Sequence, residues 1–299
     1  MSLIALNAPL VTVAVPSYNH ARYITPCINS IIGQSYSAIE IIVIDDGSRD
    51  DSPALLADLA QRHGFQFIAQ PNAGTATTLN RALALATGKY FCPMGSDDIM
   101  LPDKIRLQVD FMERHPEVAF CCGNAEHIDA DDNLLPPPSR RVHYGTMDFE
   151  TFFGNTRAGV IAPSTMIRTD ALREIGGYDP AIPLEDLATW LKLTHKGYKI
   201  GFLDEVILRY RKHPTNTSKN LRFMYECVTA SYTPYQDHPR YSDVVNRFWV
   251  STFIAAAKRG DFDLASELMH RISPRYYNRK FLRGVGHLLA ARVKKLVTG

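Results

Sequence analysis

Residues 39–48 read IEIIVIDDGS: a β-branched run broken by one glutamate, followed at once by two aspartates, a glycine and a serine. The run has the length and composition of a buried strand, so Asp45-Asp46-Gly47-Ser48 falls at its carboxyl end. Three neighbouring runs look the same: LVTVAV at 10–15, FQFIA at 65–69 and KYFCP at 89–93. Helical periodicity fills the gaps. Ile24, Cys27, Ile28, Ile31 and Ile32 make one apolar stripe, and Ser52-Pro53 reads as an N-cap followed by proline at the first helical position, leading into Leu55, Leu56 and Leu59. Strand and helix in alternation predict a parallel sheet with right-handed crossovers, whose ligands sit beyond the carboxyl ends of the strands. The polar clusters fall at those ends: Pro16-Ser17-Tyr18-Asn19, Asp45 to Ser48, Pro71-Asn72-Ala73-Gly74 and Gly95-Ser96-Asp97-Asp98. Four strand ends point at one crevice.

Beyond residue 100, Pro102 opens a helix with Ile105, Gln108, Val109 and Met112 on one face, and VAFCCG at 118–123 is a further strand. Pro136-Pro137-Pro138 marks a loop, and 142–162 shows no regular period. A second informative block spans 163–218: STMIR as a strand, TDALREIGG as a short helix, LEDLATWLKLTHKG as a longer one, KIGFL and VILRYR as two strands, and HPTNTS as a polar loop. From about residue 220 the pattern is helical, with Lys258 to Asp261 as the turn of a helical hairpin between FIAAA and LASELM.

The chain has 299 residues, 45% of them apolar, with 33 Lys and Arg against 31 Asp and Glu. That is ample material for a globular core and excludes a disordered or fibrous chain. No apolar run reaches the roughly 20 residues that span a bilayer, and the amino end lacks a secretory signal, so the expected location is cytoplasmic. Five cysteines without a CxxC pair encode neither a disulfide framework nor a structural zinc site, and are expected to be buried thiols. The charge is uneven: residues 271–299 carry eight Lys and Arg and no acid, against a whole-chain total of +2, so the remainder sums to −6. In this tail Leu282, Val285, Leu289, Val293 and Leu296 recur at helical spacing among Lys280, Arg283, Arg292, Lys294 and Lys295. Such a helix either lies on an anionic membrane surface or docks its stripe on the rest of the protein with its charges solvated. No nucleic-acid recognition fold accompanies it.

Asp97-Asp98 after a buried strand suits a hard divalent cation such as Mg²⁺ or Mn²⁺; it also suits a turn that caps the helix after Pro102. Carboxylates repel phosphate, so Asp45-Asp46 fits acceptance from a base or ribose, or a plain turn, better than a phosphate cradle. GxGxxG after a strand, GxxxxGK[ST], HExxH and GxSxG are all missing, which removes support for dinucleotide redox chemistry, P-loop hydrolysis, zincin proteolysis and the nucleophile elbow.

PSYNHARYITPCINSIIGQSY (16–36), IEIIVIDDGSRDDS (39–52) and NAGTATTLNRALALATGKYFCPMGSDD (72–98) together resemble the amino-terminal half of a family 2 glycosyltransferase, an inverting enzyme of the GT-A fold. PSTMIR, GGYDP, LEDLATWLKLTHKGYK and YRKHPTNTS match that family's acceptor-side half in order and spacing, so the resemblance covers about residues 9–218. It implies that Pro16, Tyr18, Asn19 and Asp46 hold the nucleotide, Asp46 accepting from the base and Tyr18 stacking on it. Asn72 and Gly74 match the loop beside the diphosphate. Ser96, Asp97 and Asp98 match the DxD-like motif, with Asp98 binding the metal and Asp97 contacting ribose or donor sugar. Leu79-Asn80 stands where many members carry Arg-Asn. Asp186 matches the catalytic base of the ED motif, which helical spacing places on one face with Trp190; Glu185 and Trp190 stand on the acceptor side. The bland reading of Glu185-Asp186 is an acidic first turn favoured by the helix dipole. His213 matches a loop that closes over the diphosphate and is a second candidate metal ligand. Arg211 beside it either serves the pyrophosphate or faces solvent. His20, His63, His115 and His127 receive no role.

The expected architecture is α/β: a GT-A-type, mostly parallel sheet flanked by helices over 1–218, divided into a nucleotide half at about 9–123 and an acceptor half at about 124–218. A helical carboxyl-terminal extension with a basic amphipathic tail follows over 219–299. The expected activity is metal-dependent, inverting transfer of a sugar from a UDP- or dTDP-linked donor to a glycan. The expected acceptor is a lipid-linked saccharide of O-antigen, capsule or exopolysaccharide synthesis, met at the inner membrane face if the tail at 279–297 takes the membrane-surface alternative of its two. A nucleotidyltransferase and a non-catalytic sugar- or membrane-binding module are the alternatives.

Overall fold

The computed structural model describes residues 8–138, 141–154, 159–214 and 216–298. The elements run β1 (Val11–Ser17), α1 (Ala21–Ile32), β2 (Ile39–Asp45), α2 (Ser52–His63), β3 (Gln66–Ala69), α3 (Thr75–Leu85), β4 (Tyr90–Pro93), β5 (Ile99–Met100) and α4 (Lys104–Arg114). They continue with β6 (Val118–Ile128), β7 (Gly145–Met147), α5 (Phe149–Gly154), β8 (Met166–Arg168), α6 (Thr169–Glu174), α7 (Glu185–His195) and β9 (Lys199–Arg211). Last come α8 (Leu221–Tyr232), α9 (Tyr241–Arg259), α10 (Phe262–Arg271) and α11 (Arg279–Thr298). The chain divides into two compact units, the first ending at His213 and holding the whole sheet, the second beginning at Pro214 and also including Phe153.

In the first unit the sheet order is β3-β2-β1-β4-β8-β6-β9-β5, with β7 also on β9. The four amino-terminal strands are parallel, as expected, with Val11 beside both Ile39 and Tyr90, and Ser17 beside Asp45. Past β4 the sheet is mixed: β8 is antiparallel to β4 and β6, whereas β9 is parallel to β6. The two reversals around β8 cancel, so β6 and β9 run in the same sense as β1 and their carboxyl ends share its edge. The short antiparallel strands β5 and β7 carry too few residues to show a period. Val11, Val13 and Val15 of β1 are buried against Ile24, Cys27, Ile28 and Ile31 of α1. Ile32, at the edge of that stripe, is 40% exposed.

Three expectations need correction. KIGFL and VILRYR form one strand, because the polar Asp204-Glu205 between them sits in an irregular stretch of the β6–β9 ladder rather than in a turn. The Asn124 amide group donates to the carbonyls of Asp204 and Val142 there. Ser52 is the first residue of α2 and not its cap; its hydroxyl accepts from the His20 amide at 3.1 Å. Pro102 precedes α4, which begins at Lys104 with no side-chain cap. The five cysteines are free and buried, as expected. In the second unit α9 ends on left-handed Gly260, and the Asp261 carboxylate accepts from the Leu264 amide to start α10, which makes the expected hairpin.

Candidate active site at the carboxyl edge of the sheet

Three loops build the side on which the resemblance leads one to expect the nucleotide. After β2, Asp45 accepts from both the amide and the hydroxyl of Ser48, folding the chain sharply at Gly47. Gly47 has φ +79°, and a Cβ there would lie 2.7 Å from the Asn72 amide nitrogen, so the β2 and β3 loops approach as closely as they do only because this residue has no side chain. Asp46 closes the same contact: Oδ1 accepts from the Gln70 side chain and the Ala73 amide, and Oδ2 from the Gly74 amide at 2.9 Å. A carboxylate has about four acceptor positions, so one remains for a ligand. Gly74 (φ +85°) stands at the N-cap of α3, whose first-turn N–H groups have no helical partner. After β1, Asn19 adopts φ +54° and is locked to the β2 loop, its amide donating to Ser48 and its side-chain oxygen accepting from the Arg49 amide. Pro16 is half-buried; Tyr18, Asn19, Asn72 and Gly74 are exposed around the loops that Asp46 braces. Ser17 Oγ is buried at this end with no hydrogen-bond partner.

The second cluster gathers the ends of β4 and β9 and the start of α1. His213 Nε2 and Asp97 Oδ2 are 2.8 Å apart, His20 Nδ1 and Ser96 Oγ 2.7 Å apart, and Tyr23 stacks on the His213 ring. His20, Asp97 and His213 each offer one ligand atom, all within 4.8 Å of one another. Burial pushes the His20 imidazole below its usual pKa, with the neighbouring Asp97 charge opposing, which favours the neutral form that binds metal. The carboxylate in this triplet is Asp97, where Asp98 was expected. Asp98 turns inward, is 2% exposed, and accepts from the Arg211 amide at 2.8 Å. Burial, then the Asp97 charge, raises its carboxyl pKa well above the usual range. Neither aspartate caps α4.

Arg211 meets neither expectation held for it. Its guanidinium is 1% exposed, donates to the carbonyls of Asp97 and Asp129, pairs with Asp132, and lies over the Tyr23 ring. It therefore fixes the acidic turn from behind. His20 had no role in the sequence reading; its only signal is its place two residues after Tyr18, in a loop already assigned to the ligand.

The third group is the acidic start of α7. Asp186 Oδ1 accepts from the Leu187 amide. Burial raises its carboxyl pKa to about 6, against that hydrogen bond, and burial followed by the Asp186 charge raises Glu185 to about 8. Two carboxyls with separated pKa values are a recurring mark of acid–base sites. Only three residues, with Gly197 at φ +98°, join α7 to β9, so the helix runs back along the strand it packs against. Its amino end is thus directed toward the carboxyl edge of the sheet, the direction in which His213 and Asp97 also lie. The preceding loop is pinned to α3, because Asn80 both donates to the Tyr178 carbonyl and accepts from its amide. Tyr178 Oη is buried without a hydrogen-bond partner. Trp190 is a correction: it is buried and stacked on Phe120, a core residue rather than a wall for an acceptor.

A family model, Glycosyl transferase family 2, matches residues 12–176. The putative teichuronic acid biosynthesis glycosyltransferase TuaG of Bacillus subtilis (strain 168) is 31% identical over 218 residues, covering 71% of this chain and 82% of that one. An uncharacterized glycosyltransferase of Rickettsia prowazekii (strain Madrid E) is 29% identical over 235 residues, covering 76% and 72%. Among solved structures, S. aureus TarS 1–349 in complex with UDP-GlcNAc aligns with TM-score 0.67 at 15% identity, over 96% of this chain and 91% of that chain. The mannosyltransferase PcManGT from Pyrobaculum calidifontis, in complex with GDP-Man and Mn²⁺, aligns with TM-score 0.62 at 18% identity, over 97% and 88%. At those identities the two structures speak for the fold.

Proposed function

The chain belongs to glycosyltransferase family 2, and from that premise we propose that it is a metal-dependent, inverting transferase of a UDP- or dTDP-linked sugar. The observation that carries the reading is the His20–Asp97–His213 triplet, standing beside the loops that Asp46 braces. In this proposal Pro16, Tyr18, Asn19 and Asp46 receive the nucleotide, Tyr18 offering its exposed ring to the base. Asn72, Gly74 and the start of α3 face the diphosphate, since a helix amino terminus favours anions. Ser96 orients His20.

One carboxylate and two imidazoles suit Mn²⁺ better than Mg²⁺, which prefers oxygen throughout; a bound cation would offset the negative charge of the departing diphosphate. His20, Asp97 and His213 would hold it, and Asp98 shapes the turn behind them. Asp186 takes the proton from an acceptor hydroxyl as that oxygen attacks the anomeric carbon, opposite the leaving nucleoside diphosphate. One displacement inverts the configuration. With its pKa raised to about 6, Asp186 is ionised at neutral pH and more basic than an exposed aspartate. Glu185 stays protonated beside it and can donate a hydrogen bond to the acceptor.

The acceptor is proposed to be a lipid-linked saccharide of a bacterial surface polysaccharide such as O-antigen, capsule or exopolysaccharide, a class supported by the name borne by the Bacillus relative. The place of action is the cytoplasmic face of the membrane; among the described residues no helix is long and apolar enough to cross it.

The test is a panel of UDP-, dTDP- and GDP-sugars incubated with purified protein and Mn²⁺. Slow release of a nucleoside diphosphate from one donor, lost in Asp97→Asn and on chelation, is expected. Release of pyrophosphate, or turnover indifferent to chelator and to Asp97→Asn, contradicts the proposal.

A further inference from the structure

The helix α11 presents two apolar stripes, and the second unit uses only one. On one side Phe281 and Leu288 are each 4% exposed, and Phe281 stacks on Phe253 of α9. Gly284 lets the two helices approach closely, since a Cβ there would lie 2.6 Å from the Phe253 ring. On another side Leu282, Leu289 and Val293 are 61%, 57% and 60% exposed. These three follow at i, i+7 and i+11, a single line along the helix. Arg279, Arg283 and Arg292 are exposed and border it, within a segment, 271–299, that carries eight Lys and Arg and no acid. Of the two fates that the sequence left open for the tail, docking on the protein takes only the Phe281–Leu288 face and leaves the other stripe uncovered.

We infer that the Leu282–Leu289–Val293 stripe of α11 is a docking face for an anionic lipid bilayer. The charge selects the occupant. A segment with eight cations and no acid is complementary to a surface of phosphate headgroups and repels the same segment of a second copy, so pairing of two such faces fits poorly. A line of aliphatic side chains flanked by arginines matches a helix lying in the interface plane, apolar edge inserted and guanidinium groups at headgroup level. The remaining stripe, against α9, anchors the helix to the protein, so docking requires no unfolding. The inference extends the transferase reading by naming the surface at which a lipid-linked acceptor would be met, yet its readout needs neither donor nor acceptor.

The experiment is sedimentation of the purified full chain with vesicles of phosphatidylcholine alone or mixed with phosphatidylglycerol, at low and high salt. Binding to the anionic vesicles, weakened by salt, is expected. Replacing Leu282, Leu289 and Val293 together by serine should lower partitioning on the order of 100-fold through lost apolar insertion. Replacing Arg279, Arg283 and Arg292 by glutamine should lower it by a similar factor, at about fivefold per charge. Both variants should keep the melting temperature and the cation-dependent donor hydrolysis of the parent, so that loss of docking is told apart from failure of the transferase reading. Equal binding to neutral vesicles, undiminished binding by either variant, binding to nucleic acid in place of vesicles, or a dimer abolished by the serine changes would overturn the inference.

Discussion

Asp186 sits in the first turn of α7, where loss of water lifts its carboxyl pKa to about 6 although the Leu187 amide opposes the shift. Because a base must be ionised, turnover should fall tenfold for each pH unit below about 6 and level off above it; a profile flat to pH 4 would contradict the role. Asp186→Asn should lower kcat by about 10²–10⁴ with the donor KM little changed. The same variant should melt higher at neutral pH. The native fold raises this pKa and so penalises the ionised form, and the gain should shrink as pH falls through about 6 and vanish below about pH 3, where both states are protonated. Residue types were legible at this scale, and atomic assignments only in part. Adjacent aspartates after a strand announce a charged turn, but which one faces outward is set by Arg211, 113 positions away from Asp98 in the chain, whose amide takes Asp98 inward. His20 could not be seen as a candidate ligand, because its partners Asp97 and His213 come from two other strand ends.

At the scale of elements, the alternation of periods 2 and 3.6 was enough to place β1, α1, β2, α2, β3 and β4 in order, since each crossover is local. The acceptor half was less legible. The long β9 was divided in two because a polar pair inside a strand looks like a turn, and Asn124, which satisfies the irregular backbone there, lies 80 positions from Asp204. Trp190 fell on the same helix face as Asp186 by spacing alone, and the neighbouring strand took it into the core instead. The nucleotide loops depend on one close approach. Gly47→Ala places a methyl against the Asn72 backbone and forces an L residue to φ +79°. It should cost about 1–3 kcal/mol of stability and raise the donor KM more than it lowers kcat; an alanine variant with parental donor affinity would show that the β2 and β3 loops do not shape the donor site.

At the scale of the whole molecule, the family membership, the sheet order and the direction of α7 lead to one claim. In the proposed function, nucleotide loops, cation ligands and proton acceptor, drawn from residues 16 to 213, would work at a single edge as an inverting centre. Uneven charge was readable from composition, but the split of the tail into a docked and an open face was not, because Gly284 and Phe253 decide it through packing. The claim is tested most directly by letting water replace the acceptor. An α-linked nucleotide sugar is hydrolysed with Mn²⁺, and the anomer of the free sugar is read by proton NMR before it mutarotates. The β-anomer should form first, and the reaction should be lost in Asp186→Asn. Initial α-anomer, or hydrolysis at parental rate without Asp186, would contradict the account.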